Sequence, residues 1–347
     1  MNKRLSKIKE YMKKASLDSL LVTDRKNMRY LSGYTGEGYM LISDSLDCIV
    51  TDFRYTYQAT MQTKDFEIYD ISRFKPKDIF GSYQNTGYEN ESIKHQSYLS
   101  FKEIFKNLTP IKNELLKHRS VKDYDEINSI RKAQQIADSA FDHILPYIKA
   151  GVSERDIALE IEFFMRKSGA EALSFDTIVA TGSHGAMAHA EPDNRLISNG
   201  DFVVMDFGCV YNGYSSDMTR TVCLGRATDE MKKIYNTVLK AQLSSLDMLR
   251  AGVKASDVHK NAQSIIDEQY PGLFGHSLGH GVGLDIHELP NLSPKNDEPL
   301  KEGNVVTVEP GIYVNDFCGV RIEDLVVIKE DGIENLTHSD KNLMELW

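Results

Sequence analysis

Membrane-length apolar runs, paired cysteines and a surplus of basic charge are all missing from this chain of 347 residues. No apolar stretch approaches the roughly 18–20 residues that a bilayer span requires. The basic start Met1-Asn2-Lys3-Arg4-Leu5 is not followed by an apolar targeting core. Leu5, Ile8, Met12 and Ala15 recur instead at helical spacing, which predicts an ordinary amphipathic helix over 4–15. The four cysteines, Cys48, Cys209, Cys223 and Cys318, form no CxxC pair, which favours a reduced, cytoplasmic setting over a disulfide framework. Lys plus Arg number 41 against 51 for Asp plus Glu, a net charge of −10, so neither a nucleic-acid nor a membrane partner is expected. What is present, 41% apolar and 27% charged residues, suits a large core and excludes a disordered, collagen-like or coiled-coil chain. At this length two domains are expected.

The charge is unevenly divided. Residues 1–121 carry 20 Lys and Arg against 15 acids, whereas residues 122–347 carry 21 against 36. Such asymmetry points to two bodies with different jobs. The first half alternates helical and apolar segments, with strands expected at Ser19–Thr23, Tyr39–Ile42 and Cys48–Thr51, as in a small α/β domain. The polar stretch 81–100 gives no clear signal, and periodicity fades over 116–121. A long helix with Ile127, Ile130, Ala133, Ala137 and Phe141 on one face begins near Asp123. These breaks predict domains over 1–120 and 121–347.

The second half repeats itself. Ala150-Gly151-Val152-Ser153 recurs as Ala251-Gly252-Val253-Lys254, each between two expected helices, the second of which is expected to start at a Ser cap. Val203-Val204-Met205-Asp206-Phe207-Gly208 then resembles Val306-Thr307-Val308-Glu309-Pro310-Gly311. A further acid follows in each copy, Asp217 and Glu323. A duplicated helix–helix–strand–strand unit would place four carboxylates in equivalent, apolar surroundings. Buried acids are costly unless paired, neutralised or bound to metal.

Histidines supply a further donor. His276, His280 and His287 lie within a glycine-rich run, Gly275–His287, whose spacing does not fit a dinucleotide loop, and His189 lies in Met187-Ala188-His189-Ala190-Glu191. His95, His118, His143, His259 and His338 read as ordinary structural residues. Four carboxylates and an imidazole exclude a thiolate-type zinc site and accommodate Mn²⁺, Co²⁺ or catalytic Zn²⁺. Their formal charge suits two divalent ions sharing carboxylates and a water, an arrangement that acidifies the water and stabilises a developing oxyanion. That chemistry is hydrolysis.

The chain resembles the pita-bread metallopeptidases of the Xaa-Pro branch, aminopeptidase P and prolidase. The resemblance rests on Asp206 and Asp217, His280, Glu309 in Glu-Pro-Gly, Glu323 in Arg321-Ile322-Glu323-Asp324, and the leading strings Asp18–Val22 and Tyr30–Gly36. It implies an α+β architecture: a C-terminal pita-bread fold with an internal pseudo-two-fold repeat, preceded by a smaller α/β domain of the creatinase/prolidase type. It implies two divalent ions, Mn²⁺ first, with Co²⁺ or Zn²⁺ as alternatives, held by Asp206, Asp217, His280, Glu309 and Glu323. Glu309 would also take the proton of the attacking water, His189, His276 and His287 would bind substrate and stabilise the tetrahedral intermediate, and Arg321 would steady Glu323. The substrate implied is a peptide with proline at its second position, and the assembly implied is a homodimer. An aminopeptidase of other amino-terminal specificity and a non-catalytic binding module on the same fold remain alternatives. Asn291 stands where some prolidases carry an arginine for a dipeptide's carboxylate, which leaves dipeptidase and aminopeptidase action both open.

Overall fold

In a computed structural model the described residues are 3–347, and their contacts divide the chain into units Met1–Arg119 and Ser120–Trp347. No helix among the described residues is long and apolar enough to cross a membrane.

The first unit is built on a six-stranded mixed sheet. Its spatial order is Glu67–Asp70, Asp47–Thr51, Tyr39–Ser43, Ser19–Val22, Thr86–Glu89 and Leu108–Ile111. The central strand Ser19–Val22 is wholly buried, as its uninterrupted apolar run predicts. The amphipathic first helix runs Lys3–Lys14 and buries Leu5, Ile8 and Met12, while Ala15 falls in the exposed turn beyond it. The stretch without a sequence signal, 81–100, contributes the strand Thr86–Glu89 and most of the helix His95–Lys102. Periodicity also fades over 116–121 because the helix there, Glu114–Ser120, is only seven residues long.

The second unit shows the duplication directly. The helices Tyr124–Ile144 and Glu154–Lys167 precede the strands Phe202–Phe207 and Met218–Leu224. Asp229–Met248 and Ala255–Asp267 likewise precede Val305–Val308 and Asp324–Lys329. Asp123 and Glu126 form a reciprocal capping box on the first long helix, and Ser153 with Asp156 does the same on the second. The second copy departs from the expected Ser cap: Lys254 is its cap residue, with no side-chain bond, and Ser256 donates its hydroxyl to Asp297 instead. The main sheet of each copy is backed by that copy's helices; the second copy's five strands are all antiparallel, and the first copy's four include Glu345–Leu346, which pairs parallel to Met218–Leu224. Every residue of the strands Phe202–Phe207, Met218–Leu224 and Val305–Val308 is buried. Each such Val, Leu or Phe contributes roughly 1.5–3 kcal/mol, which anchors the strand ends where the acids stand.

Candidate metal centre

The acids sit where the chain leaves one sheet and enters another. Asp206 is the penultimate residue of Phe202–Phe207, and Asp217 directly precedes Met218–Leu224. Glu309 follows Val305–Val308, and Glu323 lies between Cys318–Arg321 and Asp324–Lys329. Close backbone approach is built in by glycine. A Cβ on Gly208 would strike the Ser216 carbonyl, and one on Gly279 the Thr307 carbonyl, so only glycine lets the Asp217 and His280 segments close in.

All nine residues singled out from the sequence (His189, Asp206, Asp217, His276, His280, His287, Glu309, Arg321 and Glu323) line one cavity of about 620 Å³. Ligand atoms of Asp217, His280 and Glu323 lie within 4.8 Å of one another. His280 Nε2 is 3.4 Å from both Asp217 Oδ2 and Glu309 Oε1. Asp206 turns one oxygen to Arg321 Nη2 at 2.6 Å and leaves the other buried without a hydrogen-bond partner. Thr219 donates its hydroxyl to Glu323 Oε2 at 2.6 Å, and Thr307 donates to Glu309 Oε1.

The donor chemistry favours a cation. His280 Nδ1 faces the Gly281 carbonyl, which only accepts, so Nδ1 carries the proton and Nε2 presents a lone pair. That lone pair points at two carboxylate oxygens. Three acceptors converging with no donor between them suit a metal ion, as does the orphaned Asp206 oxygen. Removing a carboxylate from water costs several kcal/mol even after relaxation, and Arg321 is one guanidinium among four acids.

Without a cation the cluster holds protons. Burial, then the charges of Glu323, Asp206 and Glu309, push the Asp217 carboxyl well up. Burial pushes Glu309 up to about 8 against the opposing charge of Arg321, and burial with Glu309 and Asp206 raises Glu323 as well. Burial lowers the imidazoles, His276 and His280 to about 4 and His287 below its ordinary value. These shifts predict a pH dependence with a definite sign. A carboxyl raised on folding stabilises the chain at low pH, and that stability is lost as pH climbs through the folded value. A histidine lowered on folding acts oppositely, but only below the ordinary value of 6.5. The clean window is therefore about pH 6.5 to 8. Metal-free protein is expected to lose thermal stability across it, while Mn²⁺-loaded protein is not; a midpoint rising with pH in both samples would contradict the reading.

Residues 128–330 match metallopeptidase family M24, and residues 4–121 match the creatinase/prolidase N-terminal domain. The chain belongs to metallopeptidase family M24. Within that family it is 39% identical over 353 residues to the uncharacterized peptidase YqhT of Bacillus subtilis, covering 99% of this chain and 100% of the relative. Among solved structures it superposes on the Xaa-Pro dipeptidase from Bacillus anthracis with a TM-score of 0.96 at 39% identity, covering 99% of each chain. The X-Pro aminopeptidase from Thermotoga maritima gives a TM-score of 0.91 at 36% identity, covering 99% of this chain and 100% of that one. The fold is accordingly the pita-bread fold of M24 behind a creatinase-type leading domain.

Placed in this M24 site, Arg321 departs from expectation. Its guanidinium binds Asp206 rather than Glu323, and it also donates to Thr219 Oγ1, the Ala188 carbonyl and Tyr313 Oη. The two-residue spacing misleads because the strand Cys318–Arg321 ends before Glu323 and the chain changes sheets there. Thr219 is the link the sequence did not single out, joined to Arg321 on one side and Glu323 on the other. Tyr313 was likewise missed. Its hydroxyl accepts from Arg321 at 2.9 Å and lies 3.0 Å from His276 Nε2. Behind the site, buried Arg220 donates to the Glu323 carbonyl and to Asp324, whose other oxygen is met by Lys341. Despite burial, these two cations hold Asp324 below its ordinary value, so it remains a fixed anion beside Glu323.

Proposed function

We propose that the chain hydrolyses the bond between the first residue and a proline at the second position of peptides, and that residues 121–347 perform the chemistry while 1–120 form the leading domain. The observation that carries the proposal is the convergence of His280 Nε2 with carboxylate oxygens of Asp217, Glu309 and Glu323 on one cavity. The Xaa-Pro names of the solved relatives supply the substrate class.

Asp206, Asp217, His280, Glu309 and Glu323 would hold two divalent ions, Mn²⁺ first. Bound there, the ions would supply Lewis acidity, which makes a water nucleophilic at neutral pH. The residues provide the rest. Glu309, which lines the cavity beside His280, takes the proton from the attacking water at a carboxylate oxygen and passes it to the departing imide nitrogen. His189 and His287 have no hydrogen-bond partner for their imidazoles among the described residues and line the same cavity, so their N–H groups are free to meet the scissile carbonyl as it becomes an oxyanion. His276 is differently placed. Its Nδ1 donates to the Ser277 carbonyl and its Nε2 accepts from Tyr313, which makes it a brace for that tyrosine. A prolyl nitrogen carries no hydrogen, so a site that grips the carbonyl loses nothing that an ordinary residue would have offered.

Chain-length preference follows from charge. Arg321 is the cation among the described residues that line the cavity, and its donors are already committed to Asp206, Thr219, Ala188 and Tyr313. Asn291 lines the cavity with a neutral amide. A dipeptide's terminal carboxylate therefore has no free cation on this wall. With added Mn²⁺, Xaa-Pro-Yaa peptides are expected to show kcat/KM at least equal to that of Xaa-Pro dipeptides. Strict dipeptidase action would refute that preference, and turnover of neither would refute the proposed activity.

A further inference from the structure

A second cluster of titratable groups lies away from the metal centre, at the start of the helix Glu154–Lys167. Glu154 is fully buried, and both of its oxygens are engaged. Oε1 accepts from the Thr181 amide at 2.7 Å, Oε2 from the Asp193 amide at 3.3 Å, and His184 Nδ1 stands 3.0 and 2.9 Å from the two. A carboxylate only accepts, so His184 Nδ1 carries the proton. Glu154, His184 and Asp193 have ligand atoms close enough for an ion. However, the N–H groups aimed at Glu154 would face any cation with their positive ends. The arrangement is a hydrogen-bonded staple.

The stapled segment, 181–193, is the one that carries His189, five residues after His184 and four before Asp193. We propose that Glu154 and His184 are positioning residues that hold this segment so that His189 meets the substrate carbonyl. The inference rests on the role assigned to His189 above.

The internal repeat provides a control within the molecule. In the first copy Gly151 N donates to Ile197 O, Glu154 N to Arg195 O and Arg155 N to Asp193 O. In the second, Gly252 N donates to Leu300 O, Ala255 N to Glu298 O and Ser256 N to Asn296 O. The backbone docking is thus the same in both copies and needs no buried acid. The counterpart of Glu154 is Ala255. The carboxylate is an addition of the first copy, where the docked residues follow His189; in the second copy the residues that follow His287 dock without it. On its far side the same segment is met by Arg321, which donates to the Ala188 carbonyl. The residue before His189 is thus bound to the group that holds Asp206, which couples imidazole placement to the acid cluster.

The test combines hydrogen exchange with a double-mutant cycle. Glu154→Gln replaces one acceptor oxygen by an NH₂ that opposes the existing donors. Exchange in peptides spanning 182–193 is expected to quicken while the strands Phe202–Phe207 and Met218–Leu224 stay protected. Misplacing a reacting group by about 1 Å costs up to about 10²-fold, so kcat/KM is expected to fall about 10–100-fold. In a His189→Ala background the same change should cost less than about twofold, because the group it positions is gone. His184→Asn, which keeps an N–H toward Glu154, should preserve activity that His184→Ala loses, and this pair carries the test if Glu154→Gln does not fold. Unchanged exchange, an equal loss in both backgrounds, or loss of a bound metal equivalent from Glu154→Gln would overturn the proposal. A wild-type chain inactive on Xaa-Pro peptides would instead remove the proposed function, and the exchange measurement would still decide whether Glu154 anchors the segment.

Discussion

Replacing Asp217 or Glu323 is expected to remove bound metal and to lower kcat by more than about 10³-fold. Changing only a group that orients a metal ligand costs about 10–100-fold, and these two acids stand with His280 at the point of convergence. Alanine is the blunter choice at Glu323, because it leaves the Thr219 hydroxyl without its acceptor. Asp217→Asn and Glu323→Gln keep shape and one acceptor oxygen while removing charge. The stability of these variants has a sign of its own. Each buried acid is repelled by the others and penalised by burial, so the metal-free variants should melt no lower than metal-free wild type. Metal content by elemental analysis, kcat on an Xaa-Pro peptide and the thermal midpoint are the three readings. Full activity with two ions still bound would end the assignment of these acids as ligands.

Second in size is the loss expected from His287→Ala and His189→Ala, about 10²–10³-fold in kcat with metal retained. That range is what one donor to a developing oxyanion is worth in a dry pocket. His287 packs its ring against His280 at 4.2 Å, and its backbone is secured by the next residue, buried Glu288, which is paired with Lys122 at 2.7 Å. His276→Ala should cost less, about tenfold, because both of its ring nitrogens are already occupied and it acts through Tyr313. Tyr313→Phe should then mimic His276→Ala. Equal losses at His276 and His287 would place both imidazoles on the substrate and contradict this division.

Much of the architecture was legible because it depends on local order. Charge asymmetry, the Ala-Gly-Val repeat and acids set in apolar strings are written in adjacent residues, and they identified the duplicated unit and the cavity-lining residues. The short elements of the leading unit were not legible. The strand Thr86–Glu89 includes Thr86, Gly87 and Glu89, and is held by parallel pairing to Ser19–Leu21 and Leu108–Ile111 rather than by its own propensity. The second copy's helix start misled for a related reason: Ser256 had a better partner in Asp297 than its own backbone.

Sequence alone singled out the acids and histidines that line the cavity, since residue type and spacing are properties of the chain. Which atom faces which was decided only by folding. Arg321 meets Asp206, 115 positions away, because the strand ending at Arg321 is laid beside the first repeat and the chain turns before Glu323. The tautomers of His276 and His280 are set locally, each by the carbonyl of the next residue, whereas the staple at Glu154 is made by amides and an imidazole brought in from 27 to 39 positions away. A hydrogen bond acts over about 3 Å, and no spacing along the chain specifies that distance until the sheets are in place.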